Sequence, residues 1–398
     1  TRIVAGINPQ SFSYILDAGE TFEAPEVVMT YSDKGFNAMS RNMHDFVRKH
    51  IVRGQWQYKE RPVLLNSWEA AYFDISERKL YELARAGHDV GIELFVMDDG
   101  WFGNRDDDSS SLGDWYVNKK KLPNGLKGIC DKINALGMSF GIWVEPEMLN
   151  VNSDLYRLHP DWAMDIPGCA HSEGRNQRIL DLCNPEVTEY IIDSMTKVFS
   201  SANIAYVKWD MNRIFSDYYS KYLKAQGRPQ GETVHRYVMA LGRIMRTLTE
   251  RFPHILFEGC AAGGNRFDLG ILCYFPQIWA SDNTDAVSRA YIQEGLSYGY
   301  PMSTVSAHVS ACPNHQTLRV TPLSTRFNVA AFGICGYECN LVDMSRAERS
   351  EIKTQIDIYK KWRHAMQFGS FYRQRTGNIH QWTVVDEEAG RAAGLIMQ

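Results

Sequence analysis

Ile204-Ala205-Tyr206-Val207-Lys208-Trp209-Asp210-Met211-Asn212 is the stretch on which the reading of this chain turns. Its first half has the composition of a buried strand, and its second half becomes abruptly polar. Side chains on a strand alternate between two faces, so Lys208, Asp210 and Asn212 are expected to point the same way. A cation beside a carboxylate at a strand tip is costly to build as core and well suited to chemistry. Lys208 is expected to hold Asp210 ionised at neutral pH, and an ionised, positioned carboxylate can act as a nucleophile. An ion pair at the rim of a sheet would use the same residues, so the rest of the chain has to decide between the two.

The pattern recurs. Residues 62–68, 92–101, 139–147, 178–182, 255–260, 277–282 and 303–308 are also short apolar runs that stop in polar residues. Between them, residues 77–87, 126–136, 185–200 and 233–250 have helical periodicity, and Gly91 and Gly137 stand where left-handed cap residues belong. Strand then helix, eight times over, predicts a (β/α)8 TIM barrel of the α/β class, whose active face is built from the C-terminal ends of the strands. The barrel is expected over residues 46–345. The flanks read differently. Residues 12–16 and 26–31 look like strands, and a charged helix from Ser345 to about Phe368 precedes a hairpin-like pair at 381–385 and 393–397. The last of these runs reads as a strand cut short, so the chain is expected to be a barrel with partial β-rich flanks at both ends.

Composition narrows the function. A net charge of −4 with acids and bases intermixed gives no basic patch for nucleic acid. No apolar run approaches a membrane span, so no membrane partner is expected. The eight cysteines are scattered without a C-x-x-C pair, which favours reduced thiols and a cytoplasmic location. Aromatic residues make up 12% of the chain, including ten tryptophans. Several stand beside polar strand ends, a pairing that suits sugars because C–H faces pack on aromatic rings; a tryptophan-rich core accounts for others.

A second acidic strand end, Trp279-Ala280-Ser281-Asp282-Asn283-Thr284-Asp285, gives Asp210 a partner. Two strand-end carboxylates facing one pocket are what glycosidic cleavage needs, one attacking the anomeric carbon and the other protonating the leaving oxygen. Asp282 has Trp279 nearby and no adjacent base, so its pKa can rise; Asp285 is the competing candidate unless it caps the next helix. Glu145 and Glu147 are expected to bond neighbouring loops, His308 and His315 to be satisfied rim residues, and Lys119-Lys120-Lys121 to be wet surface.

Five motifs in order carry a family resemblance: Asp98-Asp99-Gly100-Trp101-Phe102-Gly103, Trp143-Val144-Glu145-Pro146-Glu147-Met148, Lys208-Trp209-Asp210-Met211-Asn212, Glu258-Gly259-Cys260-Ala261-Ala262-Gly263-Gly264 and Ser281-Asp282-Asn283-Thr284-Asp285-Ala286. Over nearly its whole length the chain resembles glycoside hydrolase family 36, the larger bacterial and fungal α-galactosidases. The resemblance implies a retaining exo-α-galactosidase acting on raffinose-type oligosaccharides and similar α-galactosides, with Asp210 as nucleophile and Asp282 as acid/base. It implies that Asp98 and Asp99 grip the galactose O4 and O6, that Trp68, Trp143 and Trp279 wall the subsite, and that Arg175, Lys208 and Asn212 contact the sugar or the nucleophile. Cys260 and Gly263 match an element beside the sugar 2-position that leaves little room for an N-acetyl group; a structural cysteine is the other reading of Cys260. The family pattern also makes residues 1–45 the end of an N-terminal β-sandwich with a linker helix, and 346–398 a helix leading into a C-terminal β-domain. It implies no cofactor, no metal, and a homo-oligomer, with the tetramer a common form. The alternatives on the same barrel are an α-N-acetylgalactosaminidase, a galactosyl-transferring relative and a non-catalytic galactoside-binding barrel.

Overall fold

The computed structural model describes residues 2–172 and 174–398. Eight parallel strands close into a barrel: β1 (Leu64–Asn66), β2 (Leu94–Met97), β3 (Ser139–Val144), β6 (Ile204–Trp209), β7 (Leu256–Gly259), β8 (Gln277–Trp279), β9 (Val305–Ser310) and β10 (Ile334–Glu338). Each lies beside the next barrel strand in sequence, and β1 pairs with β10 to close the ring. The numbering skips β4 (Met148–Asn150) and β5 (Gln177–Ile179), which pair antiparallel outside the barrel.

One expected strand is therefore misplaced. The stretch 178–182 belongs to the outer ribbon, and β10 takes the eighth place in the barrel. Ile179, Leu180 and Leu182 are apolar because they are buried in the main hydrophobic core, and short apolar runs cannot tell that burial from a barrel strand. β10 escaped notice because Gly336 interrupts its apolar run, and glycine reads as a strand breaker. Here the glycine makes room: a Cβ on it would stand 2.6 Å from the ring Cδ2 of His308.

Period-two alternation turns the strands into a graded interior. Leu64, Leu94, Val96, Tyr206 and Leu256 form an apolar floor with Trp56 packed against it. Two residues on, the same strands present Asn66, Asp98, Lys208 and Glu258, all buried. The charge thus collects at the C-terminal mouth.

Outside the strands lie the expected helices, among them Glu77–Val90, Gly125–Ala135, Pro185–Ser200 and Thr233–Arg251. Ser76 caps the first through its side chain and Gly91 ends it at φ +100°. Arg346–Phe368 starts in a capping box between Ser345 and Glu348. It lies against the barrel, burying Ile352 and Ile356, while the Tyr359 hydroxyl donates to the Gly333 carbonyl at 2.7 Å. Beyond it β11 (Ser370–Thr376), β12 (Ile379–Asp386) and β13 (Arg391–Met397) form an antiparallel sheet, so the expected hairpin is present as β12–β13.

The N-terminal flank differs from expectation. Residues 12–16 and 26–31 form no strand. Tyr14 and Phe22 instead pack on His235, and the Ile15 N–H donates to Glu232 at 2.8 Å. Strand propensity needs a neighbouring strand to express itself, and none lies beside this segment among the described residues. The helix Gly35–Phe46 follows. No described helix is long and apolar enough to cross a membrane.

Candidate active site

Lys208 and Asp210 leave β6 on the same face and, with Asn212, line one pocket at the barrel mouth. The contacts of Lys208 differ from those expected. Its ammonium bonds Asp98 Oδ2 at 3.0 Å rather than Asp210. Asp98 is fixed in turn by the Asn66 amide at 2.7 Å and through its own N–H to Ser67 Oγ at 3.0 Å. Burial works against the lysine's charge, but the surrounding acidic groups, Asp98 foremost, lift its pKa well above the ordinary value.

Asp210 is buried and richly bonded. Its Oδ2 accepts from Trp143 Nε1 at 3.1 Å and Asn212 Nδ2 at 2.8 Å, and its Oδ1 accepts from the Met211 N–H at 2.8 Å. Burial disfavours its charge, yet the Lys208 ammonium and hydrogen bonds from Cys260, Trp143 and Asn212 hold its pKa below the usual carboxylate range. The lysine thus acts on Asp210 through space, as a field.

Asp282 shares the pocket and takes the opposite state. Burial and then the negative charge of Asp210 raise its pKa, against the opposing pull of Lys208 and of a bond from Trp279 Nε1 at 3.0 Å. One carboxyl held charged beside one pushed toward protonation is the division of labour of an acid–nucleophile pair. Asp285 is occupied elsewhere: it caps the helix Ala286–Leu296, accepting from the Ser288 N–H at 3.0 Å, and pairs with Arg319.

Trp68, Asp98, Asp99, Trp143, Arg175, Lys208, Asn212 and Trp279 all line this pocket, as the sequence predicts. Asp99 is clamped by Arg105, whose Nε and Nη2 donate to its two oxygens at 2.9 and 2.7 Å. Arg175 stands at the lip in a left-handed turn, φ +52°, just before β5. The outer ribbon therefore serves to present it.

Cys260 and Gly263 lie behind the lining. Cys260 is buried and gives its thiol to Asp210. Gly263 has φ +86°, and a Cβ there would stand 2.8 Å from the backbone nitrogen of Asp282. Only a residue without a side chain lets that peptide approach so closely.

Four lining residues were missed, Glu69, Thr284, Gln316 and Glu338, and His315, expected at the rim, lines the pocket as well. Glu338 ends β10, so recognising that strand would have exposed it. Glu69 directly follows Trp68, and it accepts from the Thr284 hydroxyl and the Ala311 N–H, both at 2.8 Å. His315 and Gln316 sit on a loop with no periodic signal. Glu145 and Glu147 behave as expected, bonding neighbours: Glu145 accepts from the Asn212 N–H, and Glu147 from Trp209, Tyr237 and Arg266. Lys121 corrects the wet-surface reading, since its ammonium donates to the carbonyls of Phe73, Gly100 and Arg105.

The buried acids give a stability prediction. Burial lifts Glu338 to about 8 and raises Glu69 and Glu145 in the same direction. A folded pKa above the unfolded one means that folding binds protons, so this stabilisation is lost as pH rises through the folded value. Buried His44 and His308 are depressed to about 4 and about 3, so their contribution is lost as pH falls through the range below 6.5. Above 6.5 only the carboxyl effect remains. Tm is expected to fall between about pH 6.5 and 8.5 by differential scanning fluorimetry, and Glu338→Gln is expected to flatten that slope.

The profile of the Melibiase family matches residues 21–369. The chain is 51% identical over 394 residues to alpha-galactosidase AgaA of Geobacillus stearothermophilus, covering 98% of this chain and 54% of that protein. It is 47% identical over 398 residues to alpha-galactosidase 1 of Pediococcus pentosaceus, covering 99% of this chain and 54% of that one. Crystal structures of AgaA variants in complex with raffinose and with stachyose superpose with TM-score 0.94 at 51% identity, over 96% of this chain and 54% of theirs. The chain thus spans about half the length of the relatives it matches.

Proposed function

The chain belongs to the melibiase family, and on that premise we propose that it carries the catalytic barrel of a retaining exo-α-galactosidase. The observation that carries the reading is the split ionisation of two carboxyls in one pocket, Asp210 held charged and Asp282 pushed toward protonation. In the proposed first step Asp210 attacks the anomeric carbon, the glycosidic C–O bond breaks, and the leaving oxygen takes the Asp282 proton. In the second, water gives its proton back to Asp282 while its oxygen displaces Asp210 from the sugar. Atoms and charge balance, and neither step asks for a cofactor.

The remaining residues divide the recognition. Asp98 and Asp99, one paired to Lys208 and the other to Arg105, are acceptors with fixed orientation for the axial O4 and for O6 of galactose. Trp68, Trp143 and Trp279 offer apolar walls, and Arg175, Lys208 and Asn212 offer donors. Cys260 and Gly263 act by shape from behind, bringing the Asp282 strand end close to Asp210. The complexes of AgaA variants with raffinose and stachyose support raffinose-type substrates. The same proposal takes residues 1–45 and 346–398 as the margins of flanking β-rich domains, and a homo-oligomer in the cytoplasm as the working state.

The test is hydrolysis of raffinose and of nitrophenyl α-galactoside alongside the N-acetylgalactosaminide. Galactose release from the first two, with little from the third, is the expected result; preference for the third would overturn the substrate, and transfer to an added sugar in place of water would overturn the hydrolase. Gly263→Ala should cut kcat/KM by about 10²-fold, the cost of displacing a reacting group by roughly 1 Å, while leaving the fold intact by circular dichroism.

A further inference from the structure

Trp279 does more than wall the pocket. Its indole Nε1–H donates to Asp282 Oδ1 at 3.0 Å, so the plane of the indole sets where that carboxyl points. The plane is held from below. The His308 ring lies with its centroid 4.3 Å from that of Trp279 at 39°, and the Arg289 guanidinium carbon stands 4.4 Å from the indole centroid. Arg289 is anchored by a bond to the Ser306 carbonyl at 3.0 Å. His308 is anchored by its Nδ1 on Glu338 at 2.9 Å. Gly336, directly opposite on β10, leaves the space the imidazole fills.

Each part has a physical reason to be rigid. His308 is buried and its depressed pKa keeps it uncharged, so it packs on the indole as a neutral ring. Arg289 is buried as well, and a guanidinium against an indole face is a favourable cation–π contact. The charged and titratable groups around the imidazole are Glu338 on β10, Glu258 on β7, Lys208 on β6, Asp98 at the end of β2 and Arg289 on the helix Ala286–Leu296.

We propose that His308, anchored by Glu338, is a positioning residue that fixes the Trp279 indole and through it the proton-delivering orientation of Asp282. The inference rests on the acid/base reading of Asp282 above and deepens it. His308 is not among the residues that line the pocket; it acts through the indole. Its loss therefore affects proton delivery and leaves nucleophilic attack by Asp210 largely untouched.

The test compares kcat/KM on raffinose, whose leaving group needs a proton, with that on nitrophenyl α-galactoside, whose leaving group does not. His308→Ala should lower the first by about tenfold, a part of the roughly 10²–10⁴-fold that general acid catalysis supplies, and the second far less. The alkaline limb of the raffinose pH profile should shift as well. His308→Phe keeps a ring on the indole and loses the Glu338 bond, so it should recover most of the raffinose rate; if the alanine variant does not fold, His308→Asn, which removes the ring from the indole, carries the test and should show the same selective loss on raffinose. Equal loss on both substrates, or a wild-type ratio in the variant that lacks the ring, overturns the proposal. Asp282→Ala run alongside separates the failures: if it too shows no leaving-group dependence, the acid/base reading fails first; if it does and His308 does not, only the clamp fails.

Discussion

Asp210→Ala is expected to abolish turnover of every α-galactoside, activated nitrophenyl glycosides included. In the proposed mechanism the carboxylate is the attacking group, and no other acid in the pocket is placed to replace it. Asp98 and Asp99 are tied to Lys208 and Arg105, Asp282 is raised toward its protonated form, and burial raises Glu69 and Glu338. The loss should be on the order of 10⁴–10⁶-fold in kcat, the scale found when an attacking side chain is removed. A control distinguishes lost chemistry from lost structure. Azide entering the space left by the carboxylate would attack from the same face and yield β-galactosyl azide. Near-wild-type hydrolysis by the variant would remove Asp210 from the mechanism.

Asp282→Ala should split substrates by leaving group. Raffinose needs its departing oxygen protonated, so its rate should fall by about 10²–10⁴-fold. A nitrophenolate leaves unaided, so formation of the galactosyl-enzyme should survive while its hydrolysis slows for want of a base. The expected signature is a burst of nitrophenolate followed by a slow steady state, with a lowered KM. Azide here would intercept the intermediate and give α-galactosyl azide, the opposite anomer from the first variant. Equal loss on both substrates would move the acid role to another residue.

How much of this was legible follows from which interactions are local. The alternation of Lys208, Asp210 and Asn212 needs only the period of a strand, and it survives intact in the pocket. Asp285 as a cap is equally local, since its partner Ser288 is three residues away. What sequence could not supply is which strands become neighbours. Lys208 was read against Asp210, its neighbour in sequence, but it bonds Asp98, 110 residues earlier, because the barrel brings β2 and β6 to one mouth. The same blindness hid Glu338 and its anchor on His308. Both depend on Gly336, a residue that looks like a strand breaker and serves to make room for the imidazole. At the N-terminal flank the error ran the other way, since strand-like composition at 12–16 and 26–31 has no neighbouring strand among the described residues to pair with.

The central claim is that two carboxyls in one pocket perform a double displacement on an α-galactoside. Proton NMR of the first sugar released from nitrophenyl α-galactoside, recorded before mutarotation, tests it most directly. The account predicts α-galactose first, with the β anomer growing in later as the sugar equilibrates; β-galactose first would mean a single displacement by water and would contradict the role given to Asp210.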